Sequence, residues 1–451
     1  MTQLVVASTL FGATTAAAAA DAGLLPDPHG ERVLLVVNNA PAPELTPSLD
    51  EIPGADPVLR RFDRVVHLTD LIAPVHPSDW RPGHRELPML ERLLRDYWGL
   101  GEGPLQLVCE SIWVNPAQAL ARVFHAAPVT VYADGLMSYG PTRDPLPLAI
   151  SQRLHGLLHL DLVPGLRPVL LSEYGVSPTV IPGDSFRALI EEVAAGAGES
   201  EADPRPRAIV VGQYLAALDL VTMAEETGMH VRMVEAAARA GAEVVRFKPH
   251  PSAPPGLIEP LERAAERSGV TLQVIDSALP VEVMLAGGGH VALVGCFSTA
   301  LATARSILEV PTVAVDTQML LARLKPFENS NRVPTTVIDA VHRPGEPYGE
   351  VERLQGLVDT VAYCMQPKAL RSRRPEASVF LQQLEETERR RYFSPARLRL
   401  LDLPGAPAQH PAVKVATTAA QKALRHPALG KVDEVTRKSD LRRRLAERLR
   451  G

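Results

Sequence analysis

Three short stretches of this chain place reactive side chains just after apolar runs. They are "VYADGLMSYGPTR" (131–143), "RFKPHPSA" (246–253) and "HVALVGCFSTALATARSIL" (290–308). In the first, Asp134 precedes Gly135 at the end of a strand pattern. An Asp-Gly pair there forms a turn through local hydrogen bonds, or aims a carboxylate into a cleft, where burial would fit it to take a proton from a hydroxyl. In the second, His250 lies between two prolines. The dipeptide alone says little: His-Pro occurs at 76, 250, 410 and 426, and 13 histidines with 41 prolines in 451 residues give about one by chance. What distinguishes His250 is its place after the strand "EVVRF", with Lys248 two residues away and prolines that stiffen the backbone on either side. A stiffly held imidazole can protonate, or donate a hydrogen bond to, a departing phosphate. In the third, Ser298 and Thr299 open a helix. Either hydroxyl is a good N-cap, and the same helix N-terminus, with its free N–H groups, is also an anion site.

Upstream of that helix, Glu282 in "LPVEVML" starts another helix pattern, either as a solvated first-turn acid or as a carboxylate that accepts both hydroxyls of a ribose. The glycines of "GGGH" (287–290) complete no phosphate-loop pattern and are expected to connect a helix to a strand.

These residues need a scaffold that brings strand ends together, and the hydropathy pattern supplies one. "QLVVAS" near the start reads as a first buried strand and the alanine-rich segment after it as a helix. Further strand-like runs follow at 32–37, 64–68, 105–109 and 129–133, with amphipathic segments such as "RELPMLERLLRDYW" and "PAQALARVF" between them. A Pro/Gly loop, one helix and an acidic, Pro-rich linker around 196–207 interrupt the alternation. It restarts with "AIVVGQYL" (208–215), "EVVRF", "TLQVI" (271–275), "HVALVG" and "PTVAV" (311–315). Buried runs alternating with helices mean parallel sheets covered on both faces. The pattern predicts two parallel-sheet α/β domains, 1–182 and 208–365, joined by a helix and linker over 183–207 and followed by helices and a basic tail over 366–451. A ligand belongs in the cleft between them, at the carboxyl ends of the strands. "ESIWVNPAQ" (110–118), at another strand end of the first domain, is a candidate acceptor-side lining, with Trp113 and Asn115 open to packing and capping roles instead.

Composition narrows the class. Hydrophobic residues make up 46% and charged residues 22%, as in a globular protein. Cys109, Cys296 and Cys364 are far apart and lack metal-ligand spacing, which argues against a disulfide framework or zinc site and for a cytoplasmic home. No run approaches the roughly 18 apolar residues of a membrane span. The alanine-rich start lacks the basic segment of a signal peptide, and Asp21 interrupts its apolar run. The net charge of −5 conceals an asymmetry: residues 389–451 hold 16 Lys and Arg against 5 Asp and Glu. Such a tail is a solvated arm or a contact for an anionic membrane.

The ordered set of an acidic residue before glycine, "HP" after a second-domain strand and Ser-Thr at a helix start resembles the D/E-D/E-G, HP and S-S/T motifs of bacterial sialyltransferases. Over roughly residues 1–365 the chain is most similar to the bacterial α-2,8-polysialyltransferases. It departs from the first motif in having Ala133 at the first acidic position. The resemblance implies a GT-B fold of two Rossmann-like domains facing a cleft. It implies Asp134 as general base, His250 as general acid or hydrogen-bond donor at the donor phosphate, Ser298 and Thr299 as phosphate-binding groups, and Glu282 at the ribose. Arg143 and Lys248 become candidates to pair with the sugar's carboxylate. The donor would be CMP-sialic acid or a related CMP-nonulosonate, a co-substrate rather than a cofactor, and the acceptor a cell-surface glycan. Inversion is expected, with no metal, no other cofactor and no nucleic acid. Two rivals remain at this level: a CDP-glycerol-dependent teichoic-acid polymerase or Kdo transferase of the same architecture, and a non-catalytic sugar-nucleotide-binding scaffold.

Overall fold

The computed structural model describes residues 1–25, 30–43, 46–133, 135–198, 204–250 and 258–406. Asp134, residues 251–253 of the His250 stretch, residues 199–203 of the 196–207 linker and the tail from 407 onward lie outside the described residues. The chain divides into two compact units, 1–380 and 381–451. Both sheets belong to the first.

The first sheet has seven strands: β1 (Thr2–Ala7), β2 (Arg32–Val36), β3 (Arg64–His67), β4 (Leu105–Cys109), β5 (Val129–Ala133), β6 (Leu154–Leu160) and β7 (Pro178–Ile181). All are parallel, in the order β3-β2-β1-β4-β5-β6-β7. The second has five, β8 (Arg207–Val211), β9 (Val244–Lys248), β10 (Thr271–Val274), β11 (His290–Gly295) and β12 (Thr312–Ala314), again all parallel, in the order β10-β9-β8-β11-β12. Each sheet thus winds outward, returns past its first strand and continues on the other side. The two halves share this Rossmann-like winding, and together they form the GT-B arrangement. Residues Leu4–Ala7 of β1 and all of β4 are buried, because helices cover both faces of the sheet. That is why these strands read as continuous apolar runs rather than alternating ones.

The alanine run forms the helix Leu10–Asp21, capped by Thr9, whose hydroxyl accepts the Gly12 N–H at 3.0 Å. Its small side chains are buried from Ala16 to Ala19 and let the helix Gly183–Ala197 pack close, with Phe11 and Phe186 edge-to-face at 5.2 Å. The helix Gly183–Ala197 also packs against Val281–Ala286 of the second half. After β12 the chain returns to the first half. The Gln366 amide donates to the Arg143 carbonyl at 3.0 Å, and the Arg167 N–H donates to Gln355 at 2.8 Å.

Two strands differ from the sequence reading. β6 was absent from it, and β7 falls in the stretch expected to be a Pro/Gly loop. β7 is an edge strand that begins with Pro178, where a missing N–H costs no ladder bond. In addition, "AIVVGQYL" is a strand only as far as Val211; Gly212 turns the chain out of the sheet. In the second unit the described helices are Glu386–Tyr392 and Pro395–Leu400, and an Arg389 guanidinium N–H donates to the Leu381 carbonyl at 3.0 Å. Among the described residues no helix is long and apolar enough to cross a membrane.

Candidate active site

In an open parallel sheet, ligands bind outside the carboxyl ends of the strands, where the winding reverses. The reversal lies between β1 and β4 in the first sheet and between β8 and β11 in the second.

At the first crevice, the Ser8 hydroxyl after β1 donates to the Glu110 carboxylate after β4. The next strand, β5, ends at Ala133 and leads through Asp134 to Gly135. Gly135 has extended backbone (φ −144°), so its conformation does not demand glycine. Its surroundings do: a Cβ there would lie 2.9 Å from Thr299 Oγ1. The Leu136 N–H donates to that same oxygen at 3.3 Å. Gly135 and Leu136 of the first half therefore sit directly on the helix Thr299–Ser306 of the second. The turn Leu136–Tyr139 packs against the helix Arg332–Val341, and Arg143 donates to the Ser330 hydroxyl.

These contacts border a cavity of about 350 Å³. Glu110, Ser111, Trp113 and Val114 line one side, Gly135 and Arg143 another, and Thr299, Glu328 and Ser330 lie across from them. Four residues of the flagged "ESIWVNPAQ" stretch thus border it. Ser111 holds φ 49°, a left-handed conformation unusual for a non-glycine residue, next to Glu110.

Beside the second crevice, on the other side of β8 from β11, β8 and β9 end next to each other. The Gly212 N–H donates to the Lys248 carbonyl at 2.8 Å, and a Cβ on Gly212 would meet Lys248 O, Phe247 Cζ and Pro249 Cα at 3.1 Å. This close approach puts Tyr214 against His250, with ring centroids 3.7 Å apart and planes 24° from parallel. Burial pulls the His250 pKa down to about 4, so near neutral pH the ring is uncharged, with one N–H and one acceptor nitrogen.

Lys248 Nζ donates to the Ser277 carbonyl at 2.5 Å and so ties the end of β9 to the loop before the helix Val281–Ala286. Glu282, in the first turn of that helix, is 5% exposed. Ser298 caps the helix Thr299–Ser306: its hydroxyl accepts the Ala300 N–H at 3.3 Å.

The structure therefore brings Gly135, Arg143 and Thr299 around one cavity, and the β8 and β9 ends around His250. Lys248, His250, Glu282 and Ser298 are not among the cavity's lining residues. Sequence reading passed over Tyr214, because one tyrosine after a strand carries no signal until its neighbour in space is known. Among the described residues no group of three His, Cys, Asp or Glu side chains is arranged to hold a metal ion. All three cysteines are buried thiols.

The family described as alpha-2,8-polysialyltransferase (POLYST) matches residues 3–317. The chain belongs to this family. As a polysialyltransferase-family protein it is a glycosyltransferase of the sialyltransferase type. No curated protein sequence matches it. Among solved structures, the GT-B domain of a sialyltransferase from Photobacterium damselae is 12% identical, covering 75% of this chain and 96% of that one at a TM-score of 0.38. A glycosyltransferase from Rickettsia africae and MurG from Acinetobacter baumannii are each 10% identical over 85% of this chain, covering 99% and 95% of their own lengths, both at a TM-score of 0.36. At such similarity the fold of this family member rests on its own two sheets.

Proposed function

We propose that the protein is an inverting transferase that moves sialic acid, or a related nonulosonic acid, from a CMP-activated donor to a hydroxyl of a cell-surface glycan. Asp134 takes the proton of the acceptor hydroxyl as its oxygen attacks the anomeric carbon. The bond from that carbon to the phosphate oxygen breaks, and CMP leaves with the electron pair. A single displacement of this kind inverts the anomeric centre. The leaving group is already a stable phosphate monoester, so it needs anion stabilisation more than a proton. The neutral His250 N–H and the helix start at Ser298 and Thr299 supply it without a metal, and Glu282 accepts the ribose hydroxyls.

The observation that carries this reading is the Leu136 N–H bond to Thr299 Oγ1. It ties the strand end bearing the base to the helix start assigned to the phosphate. Because the threonine oxygen accepts from Leu136, its own hydroxyl proton remains available to a phosphate oxygen. Arg143 borders the cavity and is the better candidate for the sugar carboxylate. Lys248, bonded to Ser277, holds the loop before Glu282 instead.

Incubation of the purified protein with CMP-sialic acid, followed by measurement of CMP release, tests the reading. It fails if no CMP-nonulosonate is bound or turned over while CDP-glycerol is consumed. For the basic tail we assign peripheral contact with an anionic membrane from the cytoplasmic side. Removal of residues 396–451 then weakens sedimentation with anionic liposomes; unchanged sedimentation makes the tail a solvated arm.

A further inference from the structure

The loop that carries Tyr214 is held by side chains rather than by the sheet. Helix Met223–Arg239 begins at Thr222 with a capping box closed by Glu225. Glu226, in its first turn, accepts the Leu215 N–H at 2.8 Å with one carboxylate oxygen and the Ala216 N–H at 2.9 Å with the other. One turn on, His230 Nε2 accepts the Gln213 N–H at 2.8 Å, which fixes the neutral tautomer with its proton on Nδ1. Glu226 is 2% exposed and His230 fully buried. Side chains thus bind the backbone on both sides of Tyr214, while the tyrosine itself is only half-buried and lays its ring on His250. Burying a carboxylate and an imidazole costs free energy unless their hydrogen bonds are satisfied. That expense goes to a four-residue loop whose one outward product is the stack.

We infer that Tyr214 is a positioning residue for His250, and that Glu226 and His230 act through it by fixing the amides of Gln213, Leu215 and Ala216. The ring holds the plane of the imidazole. The inference rests on the assignment of His250 to the donor phosphate, and its test separates the two.

Turnover of CMP-sialic acid is measured for Tyr214→Leu and Tyr214→Phe, each in the wild-type and His250→Ala backgrounds. Tyr214→Leu should lower kcat about tenfold or more, with the donor KM within about threefold, because a misplaced catalytic group costs rate more than binding. Tyr214→Phe, which keeps the ring, should restore it. In the His250→Ala background Tyr214→Leu should change kcat by less than about twofold, since residues acting through one another are not additive. A full, independent loss there overturns the inference, as does wild-type turnover by Tyr214→Leu.

The second readout needs no substrate. The ring-proton resonances of His250, assigned by their loss in His250→Ala, should move in Tyr214→Leu, in Glu226→Gln and in His230→Leu, and should stay close to wild type in Tyr214→Phe. Resonances unmoved by Tyr214→Leu and Glu226→Gln overturn the positioning role. If His250→Ala alone leaves turnover intact, the catalytic assignment falls, and the resonances still decide whether Tyr214 sets the ring.

Discussion

The two crevices of this protein arise from the same winding and have been furnished in opposite ways. Between β1 and β4, Glu110, held by the Ser8 hydroxyl, lines a cavity with Trp113 and Arg143 at its border. At the ends of β9, β8 and β11, a stacked Tyr214–His250 pair and a capped helix start stand instead, with a buried glutamate and histidine behind them. One is a cavity with charged and hydroxyl groups at its edge; the other is a tightly held set of neutral donors. Topology fixes where such sites lie, and the few residues after each strand decide what they do.

The sharpest test of this division removes one reactive group from each side. Asp134→Ala should cut turnover about 10²- to 10⁴-fold while CMP still binds, as expected for loss of a general base. His250→Ala should cost about 10²- to 10³-fold, the range for a lost donor at developing charge. Equal effects on CMP affinity from both would erase the distinction. Next in size is the seam between the halves. Gly135→Ala drives a Cβ toward Thr299 Oγ1, 2.9 Å away, and should cost about 1 to 3 kcal/mol of stability, read from a urea midpoint, together with a loss of turnover. Gly212→Ala crowds backbone at 3.1 Å and should destabilise by a similar or smaller amount, with its loss of rate confined to kcat. The smallest effect belongs to Glu110→Gln, which should alter the acceptor KM a few-fold and leave CMP binding unchanged.

The second half should also show its own pH dependence. Burial pulls His230, His250 and His290 from 6.5 down to about 4. Between those values the unfolded chain binds more protons, so stability is full above pH 6.5 and falls as the pH drops toward 4. His230→Gln should make that slope shallower by about one proton, as measured by urea unfolding across the window.

Much of this could be read from the chain alone. Fully buried strands announce themselves as apolar runs, and motifs at their ends inherit a place in the cleft. β7 could not be read, because Pro178 signals a loop unless one knows that it starts an edge strand. Nor could the partner of Lys248: a lysine two residues before His250 suggests a ligand contact, and only the fold shows its bond to the Ser277 carbonyl. Glu226 and His230 sit one turn apart, like any pair on a helix face. Their value comes from a loop ten to seventeen residues upstream that bends back over them. The glycine of the first motif was legible as a turn former, yet its cause is steric and lies across the cleft at Thr299.

The return of the chain to the first half builds part of the cavity from residues beyond the family match. Glu328, Ser330, Met365 and Gln366 line it, and all four lie beyond residue 317, where the match to the family ends. A chain stopped at that point would keep every motif residue and lose a wall. The strand-end motifs and part of the segment that frames the cavity are thus separable along the sequence, and an exchange of residues 328–366 between relatives would reshape the opening while leaving those motifs untouched.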